Sequence, residues 1–208
     1  MIKNIMLDMG GVVVPLFAEI AFDRFRALGV EPTEWLNPYL QKGCFFELEN
    51  GDITTDEFCR ELERLTGRAR ISHEEAAQCW LGFLRQPSEE LLQYLLELKS
   101  RYHLCLLSNT NPYIAAHLRS ERFSAVGLPI THYFHSLFIS CEMHLSKPGR
   151  EIYLKALATD NMRAEETVFI DDGPANVQTA SELGIHTIHV TTNEPWRDLL
   201  EERLRKLS

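Results

Sequence analysis

Ile5-Met6-Leu7-Asp8-Met9-Gly10-Gly11-Val12-Val13-Val14-Pro15 is the stretch that decides the fold. A short unbroken apolar run ends at an aspartate and turns through two glycines. It resumes as a second apolar piece that stops at proline. Three later runs share the first feature. Leu104-Cys105-Leu106-Leu107 ends at Ser108, Leu137-Phe138-Ile139 is followed by Lys147, and Val168-Phe169-Ile170 ends at Asp171 and Asp172. Short apolar runs bounded by turn signals suit strands buried on both faces of a parallel sheet. Such sheets bind ligands just beyond the carboxyl ends of their strands. Carboxylates, a hydroxyl and an ammonium group are therefore expected to converge on one site.

Outward from these runs, residues after Pro87 alternate between strand and helix. Ser88 caps a helix carrying Leu91, Leu92, Leu95, Leu96 and Leu98. The spacing then predicts strand 103–107, a helix after Pro112, strand 137–141 and a helix from Pro148 to Ala158. Strand 167–171, a helix from Pro174 to Leu183, strand 186–190 and a last helix from Glu194 complete the chain. Alternation of this kind predicts an α/β fold, a doubly wound and mainly parallel sheet with right-handed crossovers. The stretch from Phe17 to Leu84 reads as helical instead. Ala18–Leu28 carries Ile20, Phe22, Phe25 and Leu28 and stops at Gly29. Thr54-x-x-Glu57 and Ser72-x-x-Glu75 have the form of capping boxes. The expected organisation is an α/β core formed by residues 1–16 and 86–208, with an all-helical cap inserted at 17–85.

The 208 residues allow one well-packed domain and a small second one. The net charge of −9 argues against nucleic acid as a partner, because a basic face supplies most of that affinity. It also requires a local positive device, a metal or a lysine, at any site for an anion. Cys44, Cys59, Cys79, Cys105 and Cys141 are odd in number and form no C-x-x-C pair, which suits reduced intracellular thiols. Cys105 and Cys141 read as core residues. The N-terminus lacks signal-peptide architecture, and no apolar stretch is long enough to span a bilayer, so a cytoplasmic protein without a membrane partner is expected.

Each chemical candidate has an ordinary structural reading beside it. Asp8 is a nucleophile or metal ligand, or simply a strand-end turn residue; its two glycines would open backbone amides to a ligand. Ser108-Asn109-Thr110-Asn111 before Pro112 binds an anion at a helix start, or only caps the helix. Lys147-Pro148 puts a cation near an expected N-cap, against the helix dipole, and a local rule broken in this way often marks function. Adjacent Asp171 and Asp172 repel each other unless a cation intervenes, and hard oxygen donors at a phosphate site suggest Mg²⁺.

In the order Asp, Ser-Asn, Lys-Pro, Asp-Asp, with a helical insert after the first, the chain resembles the haloacid dehalogenase superfamily over nearly its whole length. The resemblance implies a Mg²⁺-dependent phosphatase acting on a small phosphomonoester of sugar-phosphate type. Asp8 would form an aspartyl-phosphate, Ser108 and the Asn109 amide would bind phosphate, and Lys147 would steady both. Asp172, helped by Asp171, would hold Mg²⁺ with Asp8 and the Gly10 carbonyl. Asp8-Met9-Gly10-Gly11-Val12, Phe45, Glu49-x-Gly51-x-Ile53 and Phe169-Ile170-Asp171-Asp172 look most like the branch that includes bacterial α-glucose-1-phosphate phosphatases. The expected partner is a small phosphate ester, and the expected state a monomer or weak homodimer.

One departure stands out. The family's phosphatases carry an acid–base aspartate two residues after the nucleophile, and here that position is Gly10. Such help is worth about a hundred- to ten-thousand-fold in rate, so the expectation is a slow enzyme, one relying on a good leaving group, or one using another acid, with Glu47 or Glu49 as options. Competing readings are a 2-haloacid dehalogenase of the same fold, a non-catalytic phosphate-binding or regulatory protein, and a receiver-type signalling domain. In a receiver the acidic pair ends the first strand and the lysine comes last; here the pair follows the lysine. Tyr39, Phe45, Phe46 and Trp80 read as packing residues with cap contacts as the alternative. The pairs His132/His135 and His186/His189 lack a third metal ligand.

Overall fold

The computed structural model describes residues 1–36 and 41–207. Strand β1 (Asn4–Leu7) leads into helices α1 (Glu19–Leu28), α2 (Gly43–Asn50), α3 (Thr55–Thr66) and α4 (His73–Leu81). Then follow α5 (Glu89–Arg101), β2 (His103–Ser108), α6 (Pro112–Leu118), β3 (Ser136–Ile139), α7 (Ser140–Met143) and α8 (Arg150–Thr159). The chain ends with β4 (Thr167–Asp171), α9 (Pro174–Glu182), β5 (His186–His189) and α10 (Arg197–Lys206). All five strands are parallel, in the order β3-β2-β1-β4-β5. Leu7 pairs with Leu106 on one side and Ile170 on the other. The strand order therefore reverses direction at β1, which opens a crevice beyond its carboxyl end.

Both faces of the sheet are covered, which is why its strands read as unbroken apolar runs. Ile5, Leu7, Leu106 and Ile170 join one buried cluster with Leu95 and Leu98 of α5 and Leu200 of α10. Met6, Cys105, Leu107 and Phe169 join the other with Ile152, Tyr153 and Ala156 of α8. The first cluster continues into the helical segment after β1. There the Phe45 ring lies 5.3 Å from Phe25, 5.2 Å from Phe58 and 5.6 Å from Trp80. Phe45 is thus packing core, and Phe46 is half-buried. Tyr39 lies outside the described residues.

Side-chain caps open four of the helices, α3, α4, α5 and α6. Thr54 with Glu57, and Ser72 with Glu75, both form reciprocal capping boxes. Three boundaries differ from the sequence expectation. β3 stops at Ile139, and Cys141 lies in the helical turn α7, half-buried. The cause is Ser140, whose hydroxyl accepts from the Thr110 amide at 2.9 Å and donates to the Glu49 carbonyl at 2.5 Å, drawing the chain off the sheet. α8 begins at Arg150 after a Gly149 cap, so Lys147 precedes it by three residues and Pro148 is not its first position; the Lys147-Pro148 peptide is cis. The last helix begins at Arg197, because the Trp196 ring nitrogen is held by the Val12 carbonyl at 2.9 Å. Val12–Val14 is a buried turn, with both the Val13 and Val14 amides bonded to the Met9 carbonyl. The five cysteines are free thiols. Among the described residues no helix is long and apolar enough to cross a membrane.

Candidate active site

Parallel pairing sets the site. Leu7 lies opposite Ile170, so Asp8 and Asp171 emerge side by side at the ends of β1 and β4. The Asp8 amide donates to the Ile170 carbonyl at 2.9 Å, which fixes its exit direction. Gly11 then turns the chain at φ 73°; a Cβ there would sit 2.8 Å from an Asp172 carboxylate oxygen and 2.7 Å from Thr192. Only glycine allows both that dihedral and that approach.

Lys147 joins the two strand ends. Its Nζ donates to Asp8 Oδ1 at 2.7 Å and to Asp171 Oδ2 at 2.6 Å, and its side chain is 2% exposed. Its backbone is clamped from β2. The Lys147 amide donates to Asn109 Oδ1 and the Asn109 Nδ2 donates to the Lys147 carbonyl, each at 2.8 Å. That clamp holds Lys147 ahead of α8 and spends the Asn109 side chain on positioning.

Asp171 is fully buried, and both its oxygens are occupied. Oδ1 accepts from the Gly173 amide at 2.7 Å and from Asn176 at 2.9 Å, while Oδ2 accepts from Lys147. Asp172 takes a bond from the Thr192 hydroxyl. One oxygen from each of Asp8, Asp171 and Asp172 lies within 4.8 Å of the others, the sole such group of three found among the described residues. Asp8 and Asp172 offer hard oxygen donors that fit a divalent cation such as Mg²⁺, with Asp171 adjoining them.

The electrostatics agree. Burial raises the Asp8 carboxyl to about 7, with Asp171 and Asp172 adding to the rise and Lys147 opposing it. Burial also raises Asp172, against the pull of Thr192. Burial alone would lower Lys147, but Asp171 and Asp8 hold it above the usual lysine range, so it stays protonated.

These groups face a cavity of about 570 Å³ between the sheet ends and the helical segment. Asp8, Gly10, Asn109, Lys147 and Asp172 line it, with Thr110, Asn176 and Thr192 beside them. Phe22, Trp80, Phe83 and Glu49 line it from the helical segment. Trp80 therefore both packs the core and reaches the cavity, and its ring nitrogen has no hydrogen-bond partner among the described residues. Ser108 is buried at the end of β2, where its hydroxyl is 3.4 Å from the Asn109 carbonyl, and it is not part of the lining. Asn111 takes the ordinary role, capping α6 through bonds from the Tyr113 and Ile114 amides. Asn176 and Thr192 belong to none of the sequence motifs. Asn176 could have been suspected from its place in the first turn after Asp171-Asp172-Gly173-Pro174, but Thr192 carries no signal.

Among the histidines, His135 stacks on His103 with ring centroids 5.0 Å apart, and His189 meets the Asp172 carbonyl at 3.1 Å.

Comparison with known proteins agrees with this geometry. The haloacid dehalogenase-like hydrolase family matches residues 2–184. A D-ribitol-5-phosphate phosphatase from Bacteroides thetaiotaomicron is 38% identical over 201 residues, covering 96% of this chain and 97% of the relative. A solved HAD-like hydrolase from Porphyromonas gingivalis superposes with a TM-score of 0.93 at 41% identity, covering 99% of this chain and 98% of its own. A HAD family enzyme from B. thetaiotaomicron, solved as an aspartate-to-alanine variant with magnesium and inorganic phosphate, gives 0.90 at 30% identity over 96% and 99% of the two chains. The doubly wound sheet, the three clustered carboxylates and these full-length similarities make this chain a member of the haloacid dehalogenase-like hydrolases.

Proposed function

We propose that the chain is a Mg²⁺-dependent phosphatase of a small sugar-phosphate type ester. The observation that carries this reading is the single lysine bridging Asp8 and Asp171 beside Asp172, with Asp8, Lys147 and Asp172 lining one cavity. The similarity to a D-ribitol-5-phosphate phosphatase supports it. The clustered carboxylates argue against metal-free dehalogenase chemistry.

Asp8 bonds to phosphorus as the ester P–O bond breaks, giving an aspartyl-phosphate. Water then bonds to phosphorus, and the Asp8–phosphorus bond breaks to release phosphate. Lys147 holds the Asp8 carboxylate in place and offsets charge on the phosphoryl oxygens. Asn109 fixes Lys147, and the Asn109 backbone amide receives the phosphate. Asp8, Asp172 and the Gly10 carbonyl would hold Mg²⁺, steadied by the adjoining Asp171, and the ion would supply positive charge at the phosphoryl group. Residues 17–85 act as a cap that excludes water and contacts the leaving group. Gly10 gives no proton to that leaving group, so turnover is slow unless another acid acts.

The test is Mg²⁺-dependent phosphate release from a panel of small esters by the wild type and Asp8→Asn. The wild type should turn over and the variant should lose at least about a hundredfold. Equal rates in the two proteins, or ligand binding without turnover, would overturn the proposal.

A further inference from the structure

We propose that Glu49 is the acid that protonates the leaving-group oxygen, in place of the one that Gly10 lacks; this rests on the phosphatase reading above. Of the groups lining the cavity, Asp8, Lys147, Asp172 and Glu49 titrate. Asp8 is spent on attack, Asp172 belongs to the carboxylate cluster, and Lys147 is held by two carboxylates. Of these four, Glu49 alone belongs to the helical segment, the side that would contact an ester's alcohol portion. Glu47, the other sequence option, is exposed and does not line the cavity.

The backbone around Glu49 is tied to the sheet domain. Its carbonyl accepts from Ser140 at 2.5 Å, and the next residue, Asn50, accepts from Ser146 at 2.7 Å. Gly51, at φ 76°, lies so close that a Cβ would be 2.2 Å from the Cys141 carbonyl. These contacts position one carboxyl at the boundary between helical segment and sheet. That carboxyl has no hydrogen-bond partner among the described residues. Burial raises it to about 8, and it sits in the last turn of α2, where the helix dipole also disfavours a negative charge. It therefore carries a proton at neutral pH.

The step balances. As the Asp8–phosphorus bond forms and the ester bond breaks, the alkoxide oxygen takes the Glu49 proton. The alcohol departs with that proton, water displaces Asp8 from phosphorus and keeps its protons as phosphate leaves, and the Glu49 carboxylate regains a proton from solvent.

The experiment compares an alkyl phosphate, ribitol 5-phosphate, with p-nitrophenyl phosphate, whose phenolate leaves without protonation. Glu49→Gln should lower kcat on the alkyl ester by about a hundredfold or more with little change in KM, and leave the aryl ester nearly untouched. Glu49→Asp, which keeps the acid, should recover part of the alkyl rate. Wild-type kcat on the alkyl ester should fall as pH rises past about 8, and the glutamine variant should lack that fall. The other titratable groups nearby are Cys141, Glu142 and His144 of the α7 region and Asp8, Lys147 and Asp172 across the cavity; all are unchanged in the variant. Equal losses on both esters, an undiminished alkyl rate, or retention of the alkaline fall would overturn the assignment while leaving the phosphatase reading intact. A wild type that releases phosphate from neither ester would overturn both.

Discussion

Without a divalent cation, replacing Asp8 by asparagine should stabilise the protein above neutrality, although it removes the proposed nucleophile. Asp8 is 9% exposed, shares Lys147 with Asp171, and lies within 4.8 Å of two other carboxylates. Burial, helped by those neighbours, moves it from 3.8 to about 7. Between these values the folded protein keeps a proton that the unfolded chain has released. The stability tied to that proton is complete below about pH 4 and is lost as pH rises to about 7. At about 1.4 kcal/mol per tenfold change, the loss is about 4 kcal/mol. Asparagine never ionises, and its amide oxygen still accepts from Lys147. In a chelator the variant should therefore gain on the wild type by about 4 kcal/mol between acid and mildly alkaline pH, about 8–16 °C in Tm for a chain of this size. Paired thermal melts in EDTA at about pH 4 and about pH 8 measure the gap, and Mg²⁺ at the higher pH should close it by stabilising the wild type more. A gap that is the same at both pH values would refute the assignment of a strained, proton-holding carboxyl to Asp8.

Gly51→Ala forces a Cβ to 2.2 Å from the Cys141 carbonyl at φ 76°, so urea unfolding should show a loss of about 2 kcal/mol or more. Gly10→Asp should fold and speed turnover of an alkyl phosphate, because a Cβ there meets only Leu16, at Cδ1 2.5 Å away, the end of a half-buried flexible side chain that can turn aside. A variant no faster than wild type in steady-state assays would contradict this. Thr54→Ala breaks a complete capping box and should cost about 1 kcal/mol, read as a drop in Tm of about 2–4 °C.

What the sequence made legible is what local physics decides. Buried strands declare themselves because both faces of each are covered, as Met6 and Leu7 show on opposite sides of β1. Helix starts declare themselves where a cap residue does the work, as at Thr54, Ser72 and Ser88. The end of β3 and the start of α8 were not legible, because bonds from distant residues set them: Ser140 to Glu49 and Thr110, and Asn109 to Lys147. Lys147 broke a helix-capping rule in the sequence, and the structure places it in the carboxylate cluster. The lysine is not at a helix end but buried between two carboxylates. The adjacent aspartates looked equivalent in the sequence, yet Asp171 is enclosed by Lys147, Gly173 and Asn176, while Asp172 faces the cavity beside Thr192.

That division of labour follows from charge. Three carboxylates and one ammonium group leave the fully ionised site two charges negative, in a protein that is itself at −9. A phosphate ester would be repelled by both fields. Without a cation the site relieves itself by holding a proton on Asp8, which is the state that the rise to about 7 describes. A protonated Asp8 is a poor nucleophile, so in the proposed reaction the same proton that relieves the repulsion would also slow attack. With a divalent cation held at Asp8 and Asp172 the site becomes neutral, Asp8 can release its proton, and an anion can approach. In the proposed reaction nucleophile activation and phosphate affinity would thus be one electrostatic event, with Asp171 keeping the buried Lys147 ammonium group turned toward Asp8.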